Sequence, residues 1–116
     1  MTVAERAVRM WPMLVLAARN RQTLTYQMVE QSTGMMAPGV GRCLDPIQSY
    51  CRVHTLPPLT ALVVGKDDGM PGTGFSAAED VQLAQADVYR HDWTANRCPS
   101  REEFERAARD DEDSRV

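Results

Sequence analysis

The stretch Leu24–Phe75, LTYQMVEQSTGMMAPGVGRCLDPIQSYCRVHTLPPLTALVVGKDDGMPGTGF, decides how this chain is read. Thr25 has the hydroxyl that caps a helix start, and Gly34 is the residue that best tolerates a left-handed turn, so Tyr26 to about Thr33 is a short helix. Pro38 suits the first turn of a second helix because its missing amide would have no partner there. Val40, Leu44 and Ile47 follow at helical spacing, and Asp45-Pro46 predicts a kink or a restart running to about His54. After the stiff Leu56-Pro57-Pro58 connector, Leu59 to Gly65 reads as the best strand in the chain. Asp67-Asp68-Gly69 has turn chemistry, and Met70 to Phe75 returns as a short, glycine-rich second arm. Helix, turn, helix and hairpin in that order predict a winged helix-turn-helix over residues 24–75.

The flanks read as helices. Thr2 and Glu5 have capping-box spacing, and Val3, Ala7, Trp11, Leu14 and Ala18 lie on one face of a helix over residues 2–20 that Pro12 should kink or divide. Trp11 is its core anchor. Ser76 and Glu79 repeat the capping signal and predict a helix to about His91; Ser100 and Glu103 predict a last short helix to about Arg109. Residues 110–116, with four successive carboxylates, are expected to be a disordered acidic tail. The expected fold is therefore mainly α with a small β-hairpin: one winged-helix-like domain over residues 1–109, with residues 76–109 as a C-terminal helical extension.

Charge divides the chain. Seven basic and five acidic residues lie between Met1 and Phe75, against six basic and eleven acidic residues after it. The front part is thus the one suited to a polyanion, although residues 24–56 taken alone are neutral, with Arg42 and Arg52 balanced by Glu30 and Asp45. Three cysteines without a C-x-x-C pair do not make a disulfide framework and suit a reducing cytoplasm. The apolar run MLVLAA is too short to span a bilayer, and Glu5 and Pro12 sit badly with a signal peptide, so a cytoplasmic protein without a membrane partner is expected.

At Thr25-Tyr26, Gly34, Val40-Gly41-Arg42 and the hydrophobic strand followed by Asp-Gly, the chain resembles the DNA-binding domain of alkylguanine-DNA alkyltransferases and alkyltransferase-like proteins. The resemblance covers about half of the chain. It implies a winged helix on duplex DNA, with Tyr26 and Arg42 as the residues that carry over. The family's Pro-Cys-His-Arg nucleophile motif is replaced here by Leu-Thr-Ala-Leu-Val-Val, which excludes alkyl transfer. The family's helix arginine falls near Pro38, and proline cannot fill the gap left by a flipped nucleotide.

In a helix-turn-helix the early residues of the second helix meet base edges while other contacts fix register. Tyr26, Gln27, Gln31, Arg42 and Lys66 are the DNA-binding candidates on that basis. Met28, Met35, Met36 and Met70, clustered near one end, would instead suit a protein partner or a homodimer. Cys51, His54, His91 and Cys98 match no common zinc spacing, the glycines at 69, 72 and 74 lack the Lys-Ser/Thr of a phosphate loop, and no catalytic order of serine, histidine and carboxylate is present. The expected function is non-enzymatic association with DNA, without a cofactor or metal; the alternative is a docking module that works without DNA contact.

Overall fold

A computed structural model describes residues 1–72 and 74–114. Its first helix, α1 (Val3–Arg19), opens on the capping box: the Thr2 hydroxyl accepts the Glu5 amide at 3.2 Å, and the Glu5 carboxylate accepts the Thr2 amide at 3.3 Å. Ala4, Ala7, Met10, Trp11, Leu14, Ala17 and Ala18 are buried at steps of three and four. The helix continues through Pro12. Proline has no amide for the Val8 carbonyl one turn back, and the Cys98 thiol donates to that carbonyl at 3.5 Å instead. A later segment of chain thus caps the flaw that was expected to kink or divide α1, and the helix is not divided.

β1 (Leu24–Thr25) leads directly into α2 (Tyr26–Thr33), where the Thr25 hydroxyl accepts the Met28 amide at 3.1 Å and Gly34 closes the helix at φ 73°. α3 (Ala37–Val53) then runs without a break through Pro46, so Asp45-Pro46 neither ends nor restarts it. This helix is the centre of the structure: α1, α2, α5 (Arg101–Ser114) and the turn at Leu59–Leu62 all pack on it.

The hairpin is where sequence and structure part. Leu59–Leu62 forms a 3-10 turn with all four residues buried, and only Val63–Val64 (β2) is extended. β2 pairs with β1, not with the chain after Gly69, and the pairing is parallel: Leu24 faces Val63 and Thr25 faces Val64. The Gly65 amide does reach the Met70 carbonyl at 2.8 Å around a turn with Gly69 at φ 66°, but no strand follows among the described residues. Pro71 removes a ladder donor from the return arm, and Thr73 of that arm lies outside the described residues. The expected β-hairpin is corrected to a two-stranded parallel seam that ties the first connector to the end of the Leu59–Leu62 turn.

Two helix boundaries also move. α4 (Val81–Arg90) is capped by Asp80, whose carboxylate accepts the Leu83 amide at 3.0 Å, rather than by Ser76. α5 keeps the predicted start, with Ser100 and Glu103 exchanging hydrogen bonds at 3.1 and 3.2 Å. The Arg97 guanidinium and the Ser100 amide hold the Glu103 carboxyl down at about 2. α5 then passes Arg109 and runs to Ser114, so residues 110–114 are helical rather than a disordered tail, while Arg115 and Val116 lie outside the described residues. Asp111 supplies the reason. It is 3% exposed, and its carboxylate accepts the Arg52 guanidinium at 2.7 Å and the Ser49 hydroxyl at 3.0 Å, which fastens the last turns of α5 to α3.

The core is an aromatic cluster at the junction of α1, α3 and α5. Trp11 meets Tyr50 and Trp93 edge-on at 5.6 and 5.7 Å and lies 6.0 Å from Phe104. The Trp93 indole N–H donates to the Val88 carbonyl at 2.8 Å, so the second tryptophan is buried with its polar atom satisfied. Among the described residues no helix is long and apolar enough to cross a membrane.

Candidate functional site

α3 presents Gly41, Arg42, Leu44, Asp45 and Gln48 to a loop that leaves β2 and returns to α4. A cleft of about 230 Å³ lies between them, completed by Tyr26, Thr60, Pro71, Gly74 and Phe75. Helical spacing sets one wall, since residues 41, 44, 45 and 48 share a face. The loop forms the other wall, and it is pinned at several points. The Tyr26 hydroxyl accepts the Gly72 amide at 3.1 Å. The Gln48 amide, itself buried, accepts the Ser76 amide at 3.0 Å and donates to the Gly74 carbonyl at 3.4 Å. Arg52 extends its guanidinium to the Ser76 hydroxyl at 3.2 Å while holding Asp111.

Gly72 is required by this arrangement. A Cβ added there would stand 2.5 Å from the Tyr26 hydroxyl oxygen, well inside contact distance. A side chain at this position would have to displace the end of the Tyr26 ring.

Inside the cleft the polar groups are unevenly used. Gln48 spends both ends of its amide on the loop. Thr60 is 4% exposed, and its hydroxyl has no hydrogen-bond partner among the described residues. A buried hydroxyl without a partner costs about 1–3 kcal/mol of lost hydration. Asp45 keeps much of its surface open, yet burial raises its carboxyl above the ordinary carboxylate range, and no basic group acts to lower it. Pro46 supplies no amide to the Arg42 carbonyl one turn back. Arg42 itself is exposed and forms no ion pair among the described residues.

Of the five candidates chosen from sequence, Tyr26 and Arg42 meet at this cleft. Tyr26 is half-buried with its hydroxyl oxygen already accepting the Gly72 amide, so a phosphate contact would have to use its proton. Gln27 and Gln31 are exposed one turn apart on α2, and Lys66 is exposed in the loop after β2; none of these three lines the cleft. Thr60, Asp45 and Gln48 were not anticipated. In sequence Thr60 belongs to the expected strand and Asp45 to the expected kink or restart, and only tertiary packing brings them to one place.

A second hollow of about 310 Å³ lies where α1 passes the turn between α2 and α3. Arg6, Arg9 and Met13 from α1 line it together with Ser32, Thr33, Gly34 and Met35. Its lining carries two arginines and no carboxylate, and neither arginine forms an ion pair among the described residues. The segment 24–56 is neutral along the sequence, but α1 adds positive charge to it in space.

Of the four potential metal ligands, Cys51 and His91 line one hollow beside α4, and the side chains are engaged elsewhere. Cys51 is buried, with its thiol pushed up to about 12 by desolvation. His54 stacks on Tyr50 at 4.1 Å, and His91 packs on Trp93 and bonds Asn96 at 2.6 Å. Among the described residues no three histidines, cysteines or carboxylates are grouped to hold a metal ion. Comparison of the chain with protein-family models, with curated proteins and with solved structures gives no match.

Proposed function

We propose that this chain associates with duplex DNA without catalysing a reaction, using the α2–turn–α3 unit as a helix-turn-helix. The observation that carries the reading is the convergence of Arg6 and Arg9 on the turn between the two helices, in a hollow whose lining holds no carboxylate. Arg42, exposed one turn into α3, adds a third unpaired guanidinium, and Gln27 and Gln31 supply neutral donors and acceptors on α2. Guanidinium groups suit phosphate geometry, and a few of them suffice to fix register while polar side chains read base edges. The acidic second half of the chain keeps non-specific binding low. Two copies on neighbouring half-sites would double the contacts a single module can make.

Fluorescence anisotropy with a labelled duplex tests the reading. Each phosphate contact contributes a slope of about −0.9 in log K against log salt, so three contacts weaken binding about 40-fold between roughly 50 and 200 mM salt. The double variant Arg6→Ala/Arg9→Ala should retain only about a 4-fold dependence. Absence of binding at the lower salt, or a slope indifferent to the double variant, would overturn the proposal. A docking role without DNA is the second reading. It is favoured by Met36, 80% exposed at the start of α3 where a DNA reader would place a polar side chain, and by the exposed Met28 and Met70.

A further inference from the structure

The cleft between α3 and the Gly65–Ser76 loop holds polar groups that the fold itself does not use. Thr60 lines it with a buried, unpartnered hydroxyl. Asp45 lines it with a partly desolvated carboxyl that forms no ion pair among the described residues. The Thr60 hydroxyl and the Asp45 carboxylate call for a ligand rich in N–H donors. The Arg42 guanidinium and the proton of the Tyr26 hydroxyl are donors that call for an acceptor on the same ligand. Leu44, Pro71 and Phe75 offer an apolar wall. A volume of about 230 Å³ corresponds to roughly eight molecules of liquid water, which restricts the occupant to a small molecule.

We infer that this cleft binds a small α-amino acid with a compact apolar side chain. Its ammonium group is held by the Asp45 carboxylate and the Thr60 hydroxyl, its carboxylate by Arg42 and Tyr26, and its side chain by Phe75 and Leu44. The pairing of a carboxylate and a guanidinium at one site selects a zwitterion over a plain amine or a plain acid, because each of those leaves one charged wall group unmatched. This inference does not rest on the DNA reading: Arg42 is common to both, but Asp45 and Thr60 take no part in the DNA contacts proposed above.

The test is an amide-resolved NMR titration of the full chain with L-valine, L-valinamide and isobutyrate. Each is taken to about 20 mM, above the millimolar Kd that so few contacts provide. L-valine is expected to shift the amides of residues 41–45, 47, 48, 60, 72 and 74–76. L-valinamide, which keeps the ammonium and resembles a peptide N-terminus, should bind about tenfold more weakly, and isobutyrate should not saturate. Asp45→Asn should abolish saturation by L-valine. Thr60→Val, which replaces the unpartnered hydroxyl by a methyl group and is expected to fold at least as stably, should weaken binding about tenfold. No shifts with L-valine, shifts confined to another face, or full affinity in Asp45→Asn would overturn the inference. Equal affinity for L-valine and L-valinamide would overturn the part assigned to Arg42.

Discussion

Two faces of the C-terminal half of α3 are held by different physics. Near its C-terminal end, Tyr50 enters a dry cluster with Trp11, Trp93 and Phe104, where contact area and edge-on aromatic packing provide the stabilisation. Along the neighbouring face, Gln48, Ser49 and Arg52 hold the loop and the last turns of α5 through hydrogen bonds to particular atoms. The first region tolerates no loss of volume and relies on a single polar bond described above, from the Trp93 indole to the Val88 carbonyl. The second buries little apolar surface, so each side chain acts as a separate fastening. The comparison teaches that stability and shape of the cleft are controlled from different sets of residues.

Trp11→Ala gives the largest expected effect. Removing the ring that touches three other aromatics should cost about 3–5 kcal/mol, measured by denaturant unfolding, and leave little folded protein at elevated temperature. A loss below about 1 kcal/mol would show that the cluster is not the mainstay of the core. Asp111→Ala comes next. It leaves Ser49 and a half-buried Arg52 without their acceptor, and because Arg52 retains contact with water the expected cost is about 1–3 kcal/mol, below that for a fully buried pair. Hydrogen exchange should show residues 110–114 losing protection ahead of the rest of α5, and uniform loss along α5 would mean that Asp111 does not act locally. Tyr26→Phe is the mildest. It removes one acceptor from the Gly72 amide at a cost of about 1 kcal/mol, and exchange at Gly72 should accelerate while the aromatic cluster stays protected.

Local chemistry was the legible part of this chain. Thr2 with Glu5, Thr25 with Gly34, and Ser100 with Glu103 each placed a helix start or stop where the structure has one, because a cap is satisfied within four residues and needs nothing distant. The same reasoning failed at Ser76 and Glu79. Ser76 is taken by Gln48 and Arg52, both far away in sequence, so its hydroxyl and amide were not available to cap a helix. Leu59–Leu62 misled for another reason. A run buried on every side shows no alternation, and without alternation a β-rich run and a buried turn look the same. Residues 110–114 were read as too acidic to order, but one of those carboxylates had a guanidinium waiting on α3. The cleft was hidden because Tyr26, Asp45, Thr60 and Phe75 come from four elements, and no spacing rule connects them.

The parallel seam between Leu24–Thr25 and Val63–Val64 has a consequence for the order of events during synthesis. Its first strand leaves the ribosome long before its partner, and the whole of α3 with the Pro57-Pro58 connector must be made in between. Closing so long a loop for two residues of pairing is entropically costly, so the seam forms late, after hydrophobic contacts along α1 and α3 have drawn its ends together. The shortest element in the protein is thus a latch that shuts behind the assembled helices rather than a template on which they gather.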